Sequence, residues 1–192
     1  MKRIVQKIGD VYCVPMNNSE KKYFQYIADD MTMLNSRVIR AFKKAYPTDC
    51  NPELFEIIND EIDFYAHVVI KLGRGMNLWE KIGNTRDLGS VQPLFRVCDD
   101  DFIKVGEQMK EISEKWRIWR VNELMKFVGK LEGEDQKAEI GLVMDPLSIV
   151  ERMQTGIYNM AYPGYDKMSF LRYDPSKESD LRKEFKKRVY NK

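Results

Sequence analysis

One histidine, three cysteines and a run of three aspartates are the side chains of this sequence best equipped for chemistry. A nucleophile pair would have to use His67, because a serine or cysteine needs an adjacent base to take its proton. Cys13, Cys50 and Cys98 are widely spaced and odd in number, which speaks against a disulfide framework, and no C-x-x-C pair occurs. The lack of C-x-x-C spacing and the single histidine speak against zinc, so neither a metal nor a cofactor is expected. Gly73-Arg-Gly75 lacks the spacing and the lysine of a phosphate loop. Asp99, Asp100 and Asp101 repel one another and are expected in a solvated turn.

The richest pattern runs from Ile62 to Leu72. Ile62, Phe64, Ala66, Val68 and Ile70 alternate there with Asp63, Tyr65, His67, Val69 and Lys71. A strand over this stretch turns one face to the core and offers a carboxylate, a phenol, an imidazole and an ammonium on the other. Lys115 to Val121 carries Trp116 and Trp119 three residues apart, so a strand sends them to opposite sides. One then serves the core, and the other, beside Arg117, joins the aromatic-plus-arginine class that dominates binding hot spots. Asp63, Tyr65, His67, Arg117 and Trp119 are therefore the expected partner-binding residues, and no catalytic residue is assigned.

These side chains need a scaffold, and the first forty-six residues supply its start. Residues 8–16, 21–29 and 36–46 read as three strands, with the polar Asn17 to Glu20 connection marking a hairpin. Apolar groups on both sides of the first strand predict burial on both faces. Leu94 to Cys98 and Lys115 to Val121 add further strands. After Asn122 the pattern changes: Asp145-Pro146 and Asp174-Pro175 each place an acid and a proline at a helix start. Leu181, Phe185 and Val189 make a narrow apolar stripe on a basic C-terminal helix. The expectation is a single α+β domain over residues 1–192, mostly β over 1–122 and mostly helix and loop over 123–192. Its N-terminal antiparallel meander should extend into a strongly curved sheet or partly open barrel of about six strands, with helices mainly in the C-terminal third.

Size and charge narrow the functions available. A chain of 192 residues hides roughly 70% of its unfolded surface, enough for a core without staples. Its 32 basic and 30 acidic residues give a net charge of +2, so there is no global field for nucleic acid. Residues 177–192 do hold seven basic against three acidic side chains. No apolar run approaches the ~20 residues of a membrane span, and the N-terminus lacks a signal-peptide core, so a cytoplasmic place is expected.

The Lys7-Ile-Gly-Asp-Val-Tyr-Cys-Val-Pro-Met16 opening, followed by Lys22-Tyr-Phe-Gln-Tyr-Ile27, resembles the start of the immunity protein 26 family of bacterial polymorphic toxin systems. Asp63-Phe-Tyr-Ala-His-Val-Val-Ile-Lys71, Leu78-Trp-Glu-Lys-Ile-Gly83 and Lys115 to Val121 are similar to later portions of the same pattern. The resemblance covers roughly residues 5–125, and what it implies is a cytoplasmic, non-enzymatic immunity protein that occludes a cognate toxin. It supplies no residue-level binding motif. Two other readings stay open on the residues: a small hydrolase using His67 with a nearby carboxylate or thiol, and a nucleic-acid-binding module worked by the basic C-terminal helix.

Overall fold

The computed structural model describes residues 5–100 and 110–190, with the side chains of 188–190 left aside. Strands β1 (Asp10–Pro15), β2 (Glu20–Asp30) and β3 (Ser36–Phe42) form the expected meander. Its first turn closes because the Asn17 side chain accepts from the Ser19 and Glu20 N–H groups, both at 2.8 Å, a local bond that asparagine can form and that fixes the reversal. β4 (Tyr46–Pro47), helix α1 (Leu54–Ile58) and β5 (Ile62–Val68) follow.

At Val69 the chain departs from its alternating pattern. Residues 70–75 coil into α2 (Ile70–Gly75) instead of extending the strand to Leu72. Tertiary packing overrides strand propensity there: the Trp79 ring lies against Gly73, where a Cβ would come within 2.0 Å of it, and the indole donates to the Ile70 carbonyl at 3.1 Å. β6 (Glu80–Asn84) then returns to pair with β1. β7 (Leu94–Cys98), β8 (Trp116–Arg120), β9 (Lys126–Gly129), β10 (Glu139–Ile140), β11 (Val143–Met144), α3 (Pro146–Thr155) and α4 (Asp180–Tyr190) complete the chain.

The architecture is α+β with mostly antiparallel pairing, divided between two open sheets. The larger runs β11-β5-β3-β2-β1-β6, with β4 attached to β2, and the smaller runs β10-β7-β8-β9. Neither path returns to its first strand, so neither sheet is a closed barrel, and the strands expected in one strongly curved sheet or partly open barrel of about six are divided between two sheets. Residues 123–192, expected to be mostly helix and loop, also contribute three short strands, β9, β10 and β11. Very short strands such as β10 and β11 leave no periodic trace in a sequence and form only because β7 and β5 offer them parallel partners.

The larger sheet is covered on both faces. On one, Tyr12, Phe24, Ile39, Phe64 and Ala66 lie in a core with Trp79 and with Leu147, Val150 and Met153 of α3. α3 starts as its Asp-Pro signal predicts, with Asp145 accepting from the Ser148 N–H at 3.1 Å, and it ends at Gly156 in the left-handed region, φ 82°. On the other face, Val11, Cys13, Tyr23 and Phe42 meet Ile57 and Ile58 of α1. Further along that face, Ile27 and Val38 meet Phe95 and Trp119 of the smaller sheet and Val121 just past β8. Burial of β1 on both sides is thus as its composition predicts.

Gly141, just past β10, allows the sheets to approach. A Cβ there would sit 1.9 Å from the Trp119 ring. Gly141→Ala is expected to overpack this contact and cost about 1–3 kcal/mol of stability, read as a lowered urea midpoint at unchanged slope.

Candidate functional site

The five residues singled out by the sequence part company in the structure. His67 projects from β5 onto the smaller sheet, and its Nε2 lies 3.0 Å from Oδ2 of Asp30, the last residue of β2. Trp119 of β8 donates from its indole to the same oxygen at 2.9 Å. The other oxygen, Oδ1, accepts from the Met33 and Asn122 backbone N–H groups, both at 3.3 Å. The His67 and Asp30 side chains are 0% exposed, Trp119 is 2% exposed, and the Phe95 ring lies 4.2 Å from the imidazole. The expectation that His67 and Trp119 face a partner is therefore corrected. The face of β5 opposite α3 is covered by a second sheet, and both residues tie the sheets together. Trp116 is buried as well, so both tryptophans belong to the interior.

The electrostatics of this node follow from its burial. Desolvation works to raise the Asp30 carboxyl, and the bonds from Trp119, His67, Met33 and Asn122 outweigh it, holding the group below the usual carboxylate range. Burial pushes the His67 pKa down, and the Asp30 bond and charge restore only part of the loss. The imidazole is accordingly neutral. The carboxylate calls for a proton on Nε2, which assigns the lone pair to Nδ1, a buried atom without a hydrogen-bond partner.

A folded state that disfavours imidazolium is destabilised once the unfolded chain can take up that proton. The stabilising contribution is whole above the ordinary His value of 6.5 and drains away as pH falls through it. Asp30 acts in the same direction at lower pH, its contribution being lost below the ordinary carboxyl value of 3.8. Urea midpoints should therefore drop between pH 7.5 and 5.5. Because His67 is the chain's sole histidine, His67→Gln, which keeps an N–H toward Asp30, should flatten that slope.

As a catalytic pair, His67 and Asp30 have the right partners in a place no substrate reaches in this conformation. Burial raises the Cys13 and Cys98 thiols above their ordinary value, the opposite of nucleophile activation. No thiol hydrogen-bonds His67 among the described residues. Among the described residues no group of three or more His, Cys, Asp or Glu side chains could hold a metal ion. No helix there is long and apolar enough to cross a membrane.

Asp63 and Tyr65 are half-buried and open on the outside. They line a cleft of about 370 Å³ between the two sheets, with Arg120, Glu134, Lys137 and Glu139 on its other walls. The cleft exists because β11 pairs with β5 only at His67 and Val68, leaving the outer edge of Ile62 to Tyr65 without a strand. Glu139 caps part of that edge, accepting from the Tyr65 N–H at 3.2 Å, and is itself held by Arg152 at 2.9 Å. The pairing of β3 with β5 shifts register between Ala41 and Phe42, which face Phe64 and Ile62 and leave Asp63 as the extra residue. Such a bulge re-aims a side chain. Glu134 pairs with Lys137, while the Asp63 carboxylate has neither a hydrogen-bond nor an ion-pair partner among the described residues.

The remaining candidates are engaged elsewhere. The Arg117 Nε donates to both carboxylate oxygens of Asp99, at 2.8 and 2.9 Å, and its guanidinium lies over the Phe127 ring. It is absent from the cleft lining, where Arg120 stands instead. Asp100 faces Lys110 and Lys115, so the aspartate run is partly neutralised; Asp101 lies outside the described residues. On α4, Arg182 grips Glu151 and Asp145 at the start of α3, and Lys183 and Lys186 pair with Asp180 and Glu178. Three of the basic residues read as a nucleic-acid surface thus have carboxylate partners within the chain. Leu181 and Phe185 are 44% and 42% exposed, and the side chain of Val189 lies outside the described residues. Sequence reasoning missed Asp30, Glu139 and Arg152. Asp30 reads as the polar end of a strand, and nothing nearby in sequence signals its distant partners. Compared with family models, with curated proteins and with solved structures, the chain finds no match.

Proposed function

We propose that this protein is a cytoplasmic immunity protein that neutralises a cognate bacterial toxin by one-to-one docking. The observation that carries the reading is the cleft: a half-buried carboxylate, Asp63, with no hydrogen-bond or ion-pair partner among the described residues, beside Tyr65 on a strand whose other face is clamped by packing. Rigid walls around an unsatisfied polar group favour binding, because little ordering entropy is lost when a partner arrives. Useful protection requires nanomolar affinity, about 12 kcal/mol, which a few desolvated anchors within a polar rim can supply. The sequence resemblance given above points the same way.

Titration of the toxin encoded by an adjacent gene is the test. Inhibition should end at one equivalent, and Tyr65→Ala should weaken the complex at least tenfold. Protection by far less than one equivalent would reveal turnover and overturn occlusion. The His67–Asp30 pair gives the hydrolase reading its one specific observation, and His67→Gln separates the two. An enzyme would lose turnover in that variant, whereas a docking protein would keep its protection at pH 7.

A further inference from the structure

We infer that the toxin inserts a lysine or arginine side chain into the cleft between the two sheets, with Asp63 as its counter-ion. The inference rests on the docking function proposed above and names the chemistry the partner must bring.

Three observations carry it. First, the charges of the cleft are answered unevenly. Glu134 is met by Lys137 and Glu139 by Arg152, whereas Asp63 has no hydrogen bond or ion pair among the described residues, and Lys43, the cation near enough to feel its charge, is itself paired with Glu61. Arg120 on the opposite wall donates to the Gln92 carbonyl and is exposed, so water solvates its charge. A half-buried carboxylate loses part of its hydration without compensation, which makes it the group with most to gain from a cation. Second, Asp63 is the extra residue of a bulge, so its aim into the cleft is a property of the backbone and persists when nothing is bound. Third, the adjacent edge of β5 has no strand neighbour over Ile62 to Tyr65, and Glu139 stands as the acceptor for the Tyr65 N–H where a neighbouring strand's carbonyl would otherwise be. Main-chain groups at such an edge can orient the segment that carries the incoming cation.

A competing role for Asp63 is to guard the edge, its charge discouraging strand pairing between copies of the chain. A guard residue would leave toxin affinity unmoved when changed.

The experiment is calorimetric titration of the adjacent-gene toxin with wild type, Asp63→Asn and Asp63→Lys. Urea midpoints serve as a folding check, since Asp63 has no bond to lose. The expected result is a tenfold or greater loss of affinity for Asp63→Asn and at least a hundredfold loss for Asp63→Lys. A toxin variant with the facing cation changed to glutamate should restore binding to Asp63→Lys. Tight wild-type binding with Asp63→Lys within threefold of it would overturn the inference and leave the docking function standing. Failure of the folded wild-type chain to bind the toxin at all would overturn both.

Discussion

Asp30→Ala is expected to cost about 3–5 kcal/mol, because it takes a charged acceptor away from several donors at once and each buried one left unpaired costs about 1–3 kcal/mol. The carboxylate accepts four hydrogen bonds, from His67, Trp119, Met33 and Asn122. Deleting it strands the buried His67 and Trp119 donors, each at a penalty of about 1–3 kcal/mol, while the Met33 and Asn122 N–H groups are part-buried and lose less. The sum is bounded because the alanine variant no longer buries a charge. A domain of this kind has only about 5–15 kcal/mol of stability, so the variant sits near the edge of folding. Asp30→Asn should be milder. Its amide can donate to a His67 that has moved its proton to Nδ1, leaving chiefly the Trp119 indole unmatched, since indole cannot accept. Urea unfolding of the two variants measures the difference, and a loss under 1 kcal/mol for Asp30→Ala would contradict the role given to this node.

Trp119→Ala should destabilise by a similar amount, about 3–5 kcal/mol, and abolish the proposed toxin protection through loss of the fold rather than of a contact. The ring packs against Phe95 at 5.8 Å between centroids and against the space that Gly141 leaves open. Truncation empties a large volume at the seam between the sheets. Trp119→Phe retains most of that volume and gives up the indole bond to Asp30, so it should lose about 1–2 kcal/mol and leave the proposed docking unchanged. Because the two residues share a hydrogen bond, the Asp30→Ala, Trp119→Ala double variant should be less destabilised than the sum of the single changes. A Trp119→Ala protein that stayed folded and lost toxin binding would instead place this residue at the interface.

Local chemistry was well marked in the chain. The Asn17 turn and the Asp145-Pro146 helix start with its Gly156 stop rest on bonds within a few residues, and the three opening strands pair with their neighbours in sequence, so composition and spacing suffice to place them. Two of the five candidate residues, Asp63 and Tyr65, lie on a strand recognisable from its alternation and line an open cleft. His67 and Trp119 were placed on the correct strands and assigned to the wrong surroundings. Arg117 met a carboxylate, Asp99, whose pairing depends on the register between β7 and β8.

The sequence by itself determined that this is an α+β chain, where its long strands lie, and which residues of β5 share a face. It could not determine what each face meets. Alternation records that the two sides of a strand differ, and a polar side covered by another sheet has the same period as one facing water. Only the tertiary structure decided that His67 would be sealed against Asp30 while Asp63, four residues earlier on the same strand, would remain open. The smaller sheet crosses β5 near His67 and β11 pairs with β5 there alone, so the covering runs out before Asp63.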